Sequence, residues 1–145
     1  MNEMSPSLRF FLRAVDGAML VYWGASALAC LGMLVLPAGM MYGGYGTAHV
    51  DAWNWSFAPL DLTFAIIGLW SVKLAQANDP RWRQVCLISL VLTMCAGGMA
   101  ISYWAVLGEF DFSWWSANLL LLVLPMIWLP ALLKPAMHAP RKASS

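Results

Sequence analysis

Four apolar segments dominate the pattern of hydrophobic and polar positions along the chain. We place them at about residues 14–36, 60–75, 85–107 and 115–133. A helix of roughly 20 apolar residues crosses the hydrocarbon core of a bilayer, and the shorter second segment would draw on its flanking residues. The pattern predicts an all-α fold, built as a single-domain, integral membrane four-helix bundle.

Prolines and glycines mark the ends of the first two segments. Pro37 and Gly39 are expected to end the first segment. Pro59 suits the first turn of the second helix, where its missing N–H costs nothing. Residues 38–57 lie between them and are rich in glycine and tyrosine, so we expect a loop. Whether this loop folds over the bundle as a lid stays open.

The last part of the chain combines kinks with a basic tail. Pro125 and Pro130 lie inside the fourth apolar segment, where proline in a membrane helix predicts a kink. Residues 136–145 are polar and basic, and we expect them to be disordered.

The basic residues indicate how the bundle is oriented. All eight fall at the N-terminus, at or in the second loop, or in the tail, and the first and third loops contain none: Arg9, Arg13, Lys73, Arg81, Arg83, Lys134, Arg141 and Lys142. Loops that carry Lys and Arg stay in the cytoplasm. We therefore expect four spans with both termini cytoplasmic.

Composition supports a membrane protein and excludes several other classes. The 145 residues are 61% hydrophobic and only 10% charged, whereas soluble domains carry about 25% charged residues. A net charge of +1 gives no sign of nucleic-acid binding. The three cysteines lie in apolar segments without metal-ligand spacing, so we expect structural thiols, no metal and no cofactor.

A carboxylate and an aromatic group converge at one predicted depth of the membrane. Asp61 falls in the first turn of the second helix if Ala58 caps it, and Asn118 lies at a similar depth. Five tryptophans surround that level, namely Trp53, Trp55, Trp104, Trp114 and Trp115. An acid with aromatic walls can bind a cationic or hydroxylated amphiphile. A helix cap inside an aromatic belt explains the same residues equally well.

Two further charges fall within or beside the apolar segments. Asp16 lies near the start of the first segment, and Lys73 lies near the end of the second. Charges inside spans are functional candidates, and their similar depth allows an ion pair. The other interpretation is that Lys73 extends to the headgroups and Asp16 stabilises a helix start.

The chain resembles the YvaD-like family of small, uncharacterised bacterial membrane proteins. The residues that carry the resemblance extend over most of the chain: Asp16, Tyr22-Trp23, 52–57 (Ala-Trp-Asn-Trp-Ser-Phe), Pro59-Leu60-Asp61, Gly68-Leu69, Ser71, Ile88-Ser89-Leu90, Leu92-Thr93, Asp111-Phe112, Trp114-Trp115, Asn118 and Pro125. The resemblance implies a four-span, multi-pass protein of the bacterial inner (plasma) membrane. It implies no activity.

Three functions remain in competition. The first is non-enzymatic binding of a membrane lipid or small hydrophobic ligand at an outer-facing aromatic pocket. The second is a homo-oligomer or accessory subunit of a larger membrane complex, packed through Gly97-Gly98 or residues 24–27. The third is an enzyme analogous to EXPERA-type, sterol-isomerase-like four-helix proteins. An expected separation of about 20 Å or more between Asp16 and Asp61 argues against a shared active site, and no catalytic residue is assigned.

Overall fold

The computed structural model describes residues 3–37, 42 and 44–134, and these residues form helices and no strand. An all-α fold is therefore confirmed for this part of the chain. The helices are α1 (Pro6–Cys30), α2 (Ala48–Ser56), α3 (Ala58–Gln76), α4 (Trp82–Leu107), α5 (Phe112–Val123), a 3-10 helix (Leu124–Ile127) and α6 (Leu129–Leu133). The predicted disordered tail, 136–145, lies outside the described residues, as do Gly39, Arg141 and Lys142.

The four long helices contact one another in the order α1, α3, α4 and α5. α1 and α4 both pack against α3, and α5 packs against α4. At the end of the bundle where α1 begins, the ring of Phe11 lies 4.9 Å from that of Trp128. There the indole N–H of Trp128 also donates to Ser7 Oγ at 3.4 Å. These contacts join the first and last helices at that end.

Helix α1 begins earlier and ends earlier than the apolar segment predicted at 14–36. Ser5 caps it, with Oγ accepting from the N–H of Leu8 at 3.3 Å, and Pro6 follows in the first turn. Gly32 ends it, because its φ of 69° is the left-handed conformation that closes a helix. The N–H of Met33 then donates to the carbonyl of Leu28 at 2.9 Å. The chain has therefore left the helix before it reaches Pro37.

The expected loop at 38–57 contains the helix α2, so this part of the prediction was wrong. Nine residues are too few for a helix that is stable by itself in water, which is why local sequence did not reveal it. The carboxylate of Asp51 anchors the turn before α2, accepting from the phenol of Tyr42 at 2.6 Å and from the N–H of Gly46 at 3.2 Å.

The predicted kinks near Pro125 and Pro130 are confirmed. α5 passes into the 3-10 helix at Leu124, and α6 begins at Leu129. The guanidinium of Arg83, at the start of α4, closes the end of this segment. It donates to three backbone carbonyls, those of Ala131, Leu132 and Lys134, at 2.8 to 3.1 Å.

The contact between α4 and α5 depends on Gly97. A methyl group at this position would lie 2.6 Å from the carbonyl oxygen of Asn118 and 2.8 Å from the backbone nitrogen of Leu122. Small residues allow helix backbones to approach closely in membrane proteins. The Gly97-Gly98 surface is therefore used inside the chain and is not free for the second copy that the sequence had suggested.

Two groups of buried side chains form the core. The larger lies at the end of the bundle where α1 begins and includes Leu8, Leu12, Cys86 and Leu90. The smaller lies deeper along α3 and centres on Phe64, with Ala65 and Ala96. Among the described residues, six polar side chains are buried as well: Asp16, Asn54, Asp61, Ser71, Ser89 and Thr93.

In the part of the chain that the structure describes, three helical stretches are long and apolar enough to cross a membrane. They are Ala48–Gln76, which joins α2 and α3, together with Trp82–Leu107 and Phe112–Leu133. α1 does not meet the same criterion, and it carries three charged residues, Arg9, Arg13 and Asp16. Large apolar side chains are exposed on several helices, among them Val21 of α1 at 71% and Val106 of α4 at 87%. These apolar helices indicate a membrane protein.

Candidate functional site

Asp61 lies in the first turn of α3, as the position of Pro59 predicts. The helix begins one residue earlier than expected, with Phe57 at the cap position. The carboxylate is 7% exposed and accepts one hydrogen bond across helices, from the indole N–H of Trp23 to Oδ2 at 3.1 Å. Its other oxygen, Oδ1, has no partner among the described residues. Asp61 therefore ties α1 to α3 and does not serve as a simple helix cap.

A second polar contact joins α1 to α2 and is made by the residue before Trp23. The phenol of Tyr22 donates to Oδ1 of Asn54 at 2.9 Å. Asn54 is 4% exposed, and its Nδ2 has no partner among the described residues. Tyr22 and Trp23 are neighbours, so Asn54 and Asp61 contact adjacent residues of α1. In each side chain, one polar atom accepts a hydrogen bond from α1 and the other has no partner among the described residues.

The contacts between α1 and α3 repeat every seven residues. Asp16 and Trp23 are seven apart on α1, and they meet Gly68 and Asp61, which are seven apart on α3. Seven residues are about two helical turns and return to the same face. Asp16 and Asp61 are therefore separated by a rise of roughly 10 Å along the helices, not by the expected 20 Å or more. Phe64 is completely buried between them on α3.

Three of the tryptophans predicted for the site, Trp53, Trp104 and Trp114, form a packed aromatic cluster with Tyr103. The Trp53 ring stacks on Tyr103 with a centroid distance of 4.4 Å and an interplanar angle of 22°. The rings of Trp104 and Trp114 approach it edge to face, at 5.7 Å and 4.9 Å. Such pairs favour offset or edge-to-face geometry. This cluster holds α2 against the ends of α4 and α5.

Asn118 and Trp115 lie on α5 and make local contacts. The side-chain amide of Asn118 donates to the carbonyl of Trp114 at 2.8 Å, one turn back on the same helix. The indole N–H of Trp115 donates to the carbonyl of Glu109 at 3.3 Å. Their partners are in α5 and the segment before it, whereas those of Asp61 are in α1.

The structure divides the predicted site into two groups. Asp61 and Trp55 lie together, because the Trp55 ring is 5.3 Å from that of Trp23, the donor to Asp61. Trp53, Trp104 and Trp114 form the separate cluster described above. The roles of Tyr22, Trp23 and Asn54 were not expected from the sequence. The seven-residue spacing from Asp16 to Trp23, matched from Asp61 to Gly68, was the signal that could have indicated them.

Asp16 and Lys73 are not brought together. Asp16 is fully buried against α3, and neither carboxylate oxygen has a partner among the described residues. Lys73 is exposed. Within the described part of the chain, an ion pair forms instead in the turn between α3 and α4, where Arg81 Nη2 lies 2.6 Å from Asp79 Oδ2.

The pKa values of Asp79, Asp111 and Tyr42, which lie outside the membrane helices, are shifted by their surroundings. The side chain of Arg81 lowers the pKa of Asp79. The hydroxyl of Ser113, and then the N–H of Trp114, lower the pKa of Asp111, which caps α5. Burial, and then Asp51, raise the pKa of Tyr42, which therefore remains a neutral hydrogen-bond donor.

The site offers binding groups without metal ligands. Among the residues described, no three His, Cys, Asp or Glu side chains lie together as a metal site. The cysteines Cys30, Cys86 and Cys95 are free thiols. Its polar groups are the carboxylate of Asp61, bonded to an indole of α1, and the amide of Asn54, bonded to a phenol of α1. This arrangement can hold a hydrogen-bonding group against aromatic rings.

The fold and these contacts define an all-helical membrane protein with a small polar site at one end of its bundle. Comparison with known proteins then gives its family. Residues 8–139 match the family described as "Family of unknown function (DUF5360)". The chain belongs to this family.

A curated relative from a bacterium supports the same assignment. The chain is 35% identical over 127 residues to the "Uncharacterized protein YvaD" of Bacillus subtilis (strain 168), covering 88% of this chain and 92% of the relative. The resemblance to YvaD-like proteins is thereby confirmed. No solved structure gives a significant match.

Proposed function

We propose that the protein is a multi-pass protein of the bacterial inner membrane with four spans and both termini in the cytoplasm. α1 contacts α3 at two levels, through Asp16 and through Trp23, so it would cross the membrane beside α3 in spite of its charges. The described Lys and Arg residues support the orientation. They lie toward the end of the bundle where α1 begins and α3 ends: Arg9, Arg13, Lys73, Arg81, Arg83 and Lys134.

Within this topology, the protein binds a lipid or another hydroxylated amphiphile without catalysing a reaction. One observation carries this proposal: Asp61 Oδ1 and Asn54 Nδ2, on two residues that contact neighbouring side chains of α1, are buried and have no partner among the described residues. One is an acceptor and the other is a donor. Buried polar groups normally find hydrogen-bond partners, so this pair favours a ligand that supplies both.

A headgroup with more than one hydroxyl satisfies both atoms. One hydroxyl donates its proton to Asp61 Oδ1, and the oxygen of another accepts from Asn54 Nδ2. An ammonium group satisfies the carboxylate but has no acceptor for the amide. The rings of Trp23 and Trp55 would cover the apolar part of the ligand next to the hydroxyls. The site therefore favours a hydroxylated headgroup over a purely cationic one.

Native mass spectrometry of the protein released from its own membrane tests this proposal. We expect Asp61→Asn to lose the bound lipid of the wild type, with affinity reduced about tenfold, since a hydrogen bond to a charged group contributes about 1.5–3 kcal/mol. Asp111→Asn, at a half-buried acid at the same end of the bundle, is the matched control and should retain the lipid. Unchanged lipid in Asp61→Asn would rule out this site.

Trp115→Ala shows how far the site extends. The wider pocket predicted from the sequence includes Asn118, Trp104, Trp114 and Trp115. If Trp115→Ala also releases the lipid, then the ligand reaches α5. If it does not, the ligand is held by α1, α2 and α3 alone.

Assembly with a second copy or a larger complex is the second candidate. Its support is the exposed face of α1, where a methyl group at Gly24 would meet nothing within 4 Å and where Val21 is 71% exposed. Small residues on a membrane helix favour association with another helix. Chemical crosslinking in membranes that yields only monomer would exclude this role.

A further inference from the structure

Asp16 is the most deeply buried charged residue described, and the ligand site above does not use it. Its exposed fraction is 0%, and neither Oδ1 nor Oδ2 has a hydrogen-bond partner among the described residues. It lies where α1 packs on α3, directly against Gly68, close to Ser89 of α4. Ionisable groups buried within membrane helices are functional candidates.

The hydroxyl groups around this position have already donated their protons. Ser89 Oγ donates to the carbonyl of Phe64 at 2.9 Å, and Ser71 Oγ donates to the carbonyl of Gly68 at 2.6 Å. One turn beyond Ser89, Thr93 Oγ1 donates to the carbonyl of Ser89 at 2.9 Å. A hydroxyl has one proton to give and two lone pairs to accept with. Toward Asp16, these groups therefore offer acceptors only.

No positive charge offsets Asp16 from the helices that surround it. On its own helix, Arg13 is exposed, and Arg9 lies two turns away. On α3, Lys73 is exposed. On α4, the titratable side chain in the same buried region is the thiol of Cys86, which carries no positive charge. An ionised Asp16 would have neither a donor nor a counter-ion there, and a buried charge needs one of them.

We propose that Asp16 is a buried proton-binding site, with the hydroxyl oxygen of Ser89 as its acceptor. The carboxylate takes up one proton, and the resulting O–H donates to a free lone pair of Ser89. The site matches a proton better than a larger cation because it is closely packed. A methyl group at residue 68 would overlap Asp16 Oδ2 and lie 2.7 Å from Ser89 Oγ.

The bound proton joins α1 to the rest of the bundle at this level. The neutral acid can pack against Gly68 and hydrogen-bond to α4, whereas the charged form favours water. Loss of the proton therefore weakens the contact between α1 and α3 near Asp16. The hydrogen bond between Trp23 and Asp61, two turns away, does not depend on this proton.

Infrared difference spectroscopy of the full chain, labelled with ¹³C at the aspartate side-chain carboxyl and placed in phosphatidylcholine nanodiscs, tests the proposal. At neutral pH we expect the carbonyl stretch of a protonated aspartic acid that disappears in Asp16→Asn and persists in Asp111→Asn. An Asp16 signal in the carboxylate region would overturn the proposal. A protonated band that appears only after sodium is removed would also overturn it, because the site would then hold a metal cation.

A second pair of variants keeps the test decisive if Asp16→Asn does not fold. Ser89→Ala removes the acceptor and should shift the frequency of the protonated band. Ser102→Ala removes an exposed hydroxyl that donates to the carbonyl of Gly98 at 2.8 Å and should leave the band unchanged. No shift in Ser89→Ala, or equal shifts in both variants, would contradict the assignment.

Discussion

Asp16 on α1 packs directly against Gly68 on α3, so closely that a methyl group at residue 68 would overlap the carboxylate. The contact lies two turns from the hydrogen bond between Trp23 and Asp61. α1 thus contacts α3 at two levels, through Asp16 against Gly68 and through Trp23 hydrogen-bonded to Asp61.

Gly68→Ala should destabilise the protein by about 1–3 kcal/mol, because the added methyl group must displace a buried carboxylate. The measurement is the free energy of unfolding in a titration of mixed micelles with sodium dodecyl sulfate. Gly24→Ala is the matched control, since it adds the same methyl group to a helix where nothing lies within 4 Å. It should be neutral or stabilising by up to about 1 kcal/mol. Equal effects of the two changes would refute the close approach.

Trp23→Phe should cost about 1–3 kcal/mol, because it leaves the buried carboxylate of Asp61 without its donor. The same unfolding titration measures it. Trp70→Phe removes an indole of the same size from a side chain that is 50% exposed, and it should cost less. In the background of Asp61→Leu the cost of Trp23→Phe should fall, because the carboxylate that needs the donor is gone. If Trp23→Phe costs as much stability in that background as in the wild type, then Trp23 does not stabilise the protein through Asp61.

Gly97→Ala should destabilise the contact between α4 and α5, whereas Gly98→Ala should have little effect. At Gly97 the new methyl group meets backbone atoms of α5 at 2.6 and 2.8 Å, so the helices must move apart. At Gly98 it meets only the side chain of Leu122, at an ordinary 3.6 Å. We expect a loss of about 1–3 kcal/mol for the first change. Hydrogen exchange of α5 should rise in Gly97→Ala alone.

The turn between α3 and α4 gives a pH-dependent prediction. Arg81 lowers the pKa of Asp79, so the ionised pair contributes its stability above the ordinary pKa of an aspartate. That contribution disappears as the pH falls through the lowered value. Both groups lie at the surface, so the effect on stability should be small.

NMR titration of the side-chain carboxyls measures this effect directly. Arg81→Gln should raise the pKa of Asp79 toward its ordinary value and leave that of Asp111 unchanged. Ser113→Ala should raise the pKa of Asp111 and leave that of Asp79 unchanged, because the Ser113 hydroxyl is the main cause of the lowered pKa of Asp111. A pKa of Asp79 that does not respond to Arg81→Gln would show that the pair does not form in solution.

The sequence predicted the apolar helices better than the elements between them. The third segment ends at Leu107, as α4 does, and Pro125 marks the interruption of the fourth. These features follow from local composition and from the missing N–H of proline. Helix α2 was missed because its stability depends on rings in α4 and α5, which lie far away in the chain. Tertiary packing decides such short helices.

The candidate site was predictable only in part. The position of Asp61 in the first turn of α3 follows from Pro59. Its hydrogen bond to Trp23 spans 38 residues of sequence and depends on how α1 aligns with α3. The charge of Asp16 suggested a pairing with Lys73 at similar depth. Asp16 contacts Gly68 instead, because it lies on the face of α1 that packs against α3. The hydrophobic periodicity around Asp16 does not by itself predict which face that is.

The measurement that tests this account most directly is the sidedness of α1. Single cysteines would be placed in a cysteine-free chain by Glu3→Cys, Gln76→Cys and Thr47→Cys, all at exposed positions. They would then be labelled in intact cells with a membrane-impermeant maleimide. Four spans with cytoplasmic termini predict labelling at residue 47 and protection at residues 3 and 76. Labelling at residue 3 with protection at residue 76 would show that α1 does not cross the membrane beside α3, and would contradict the account.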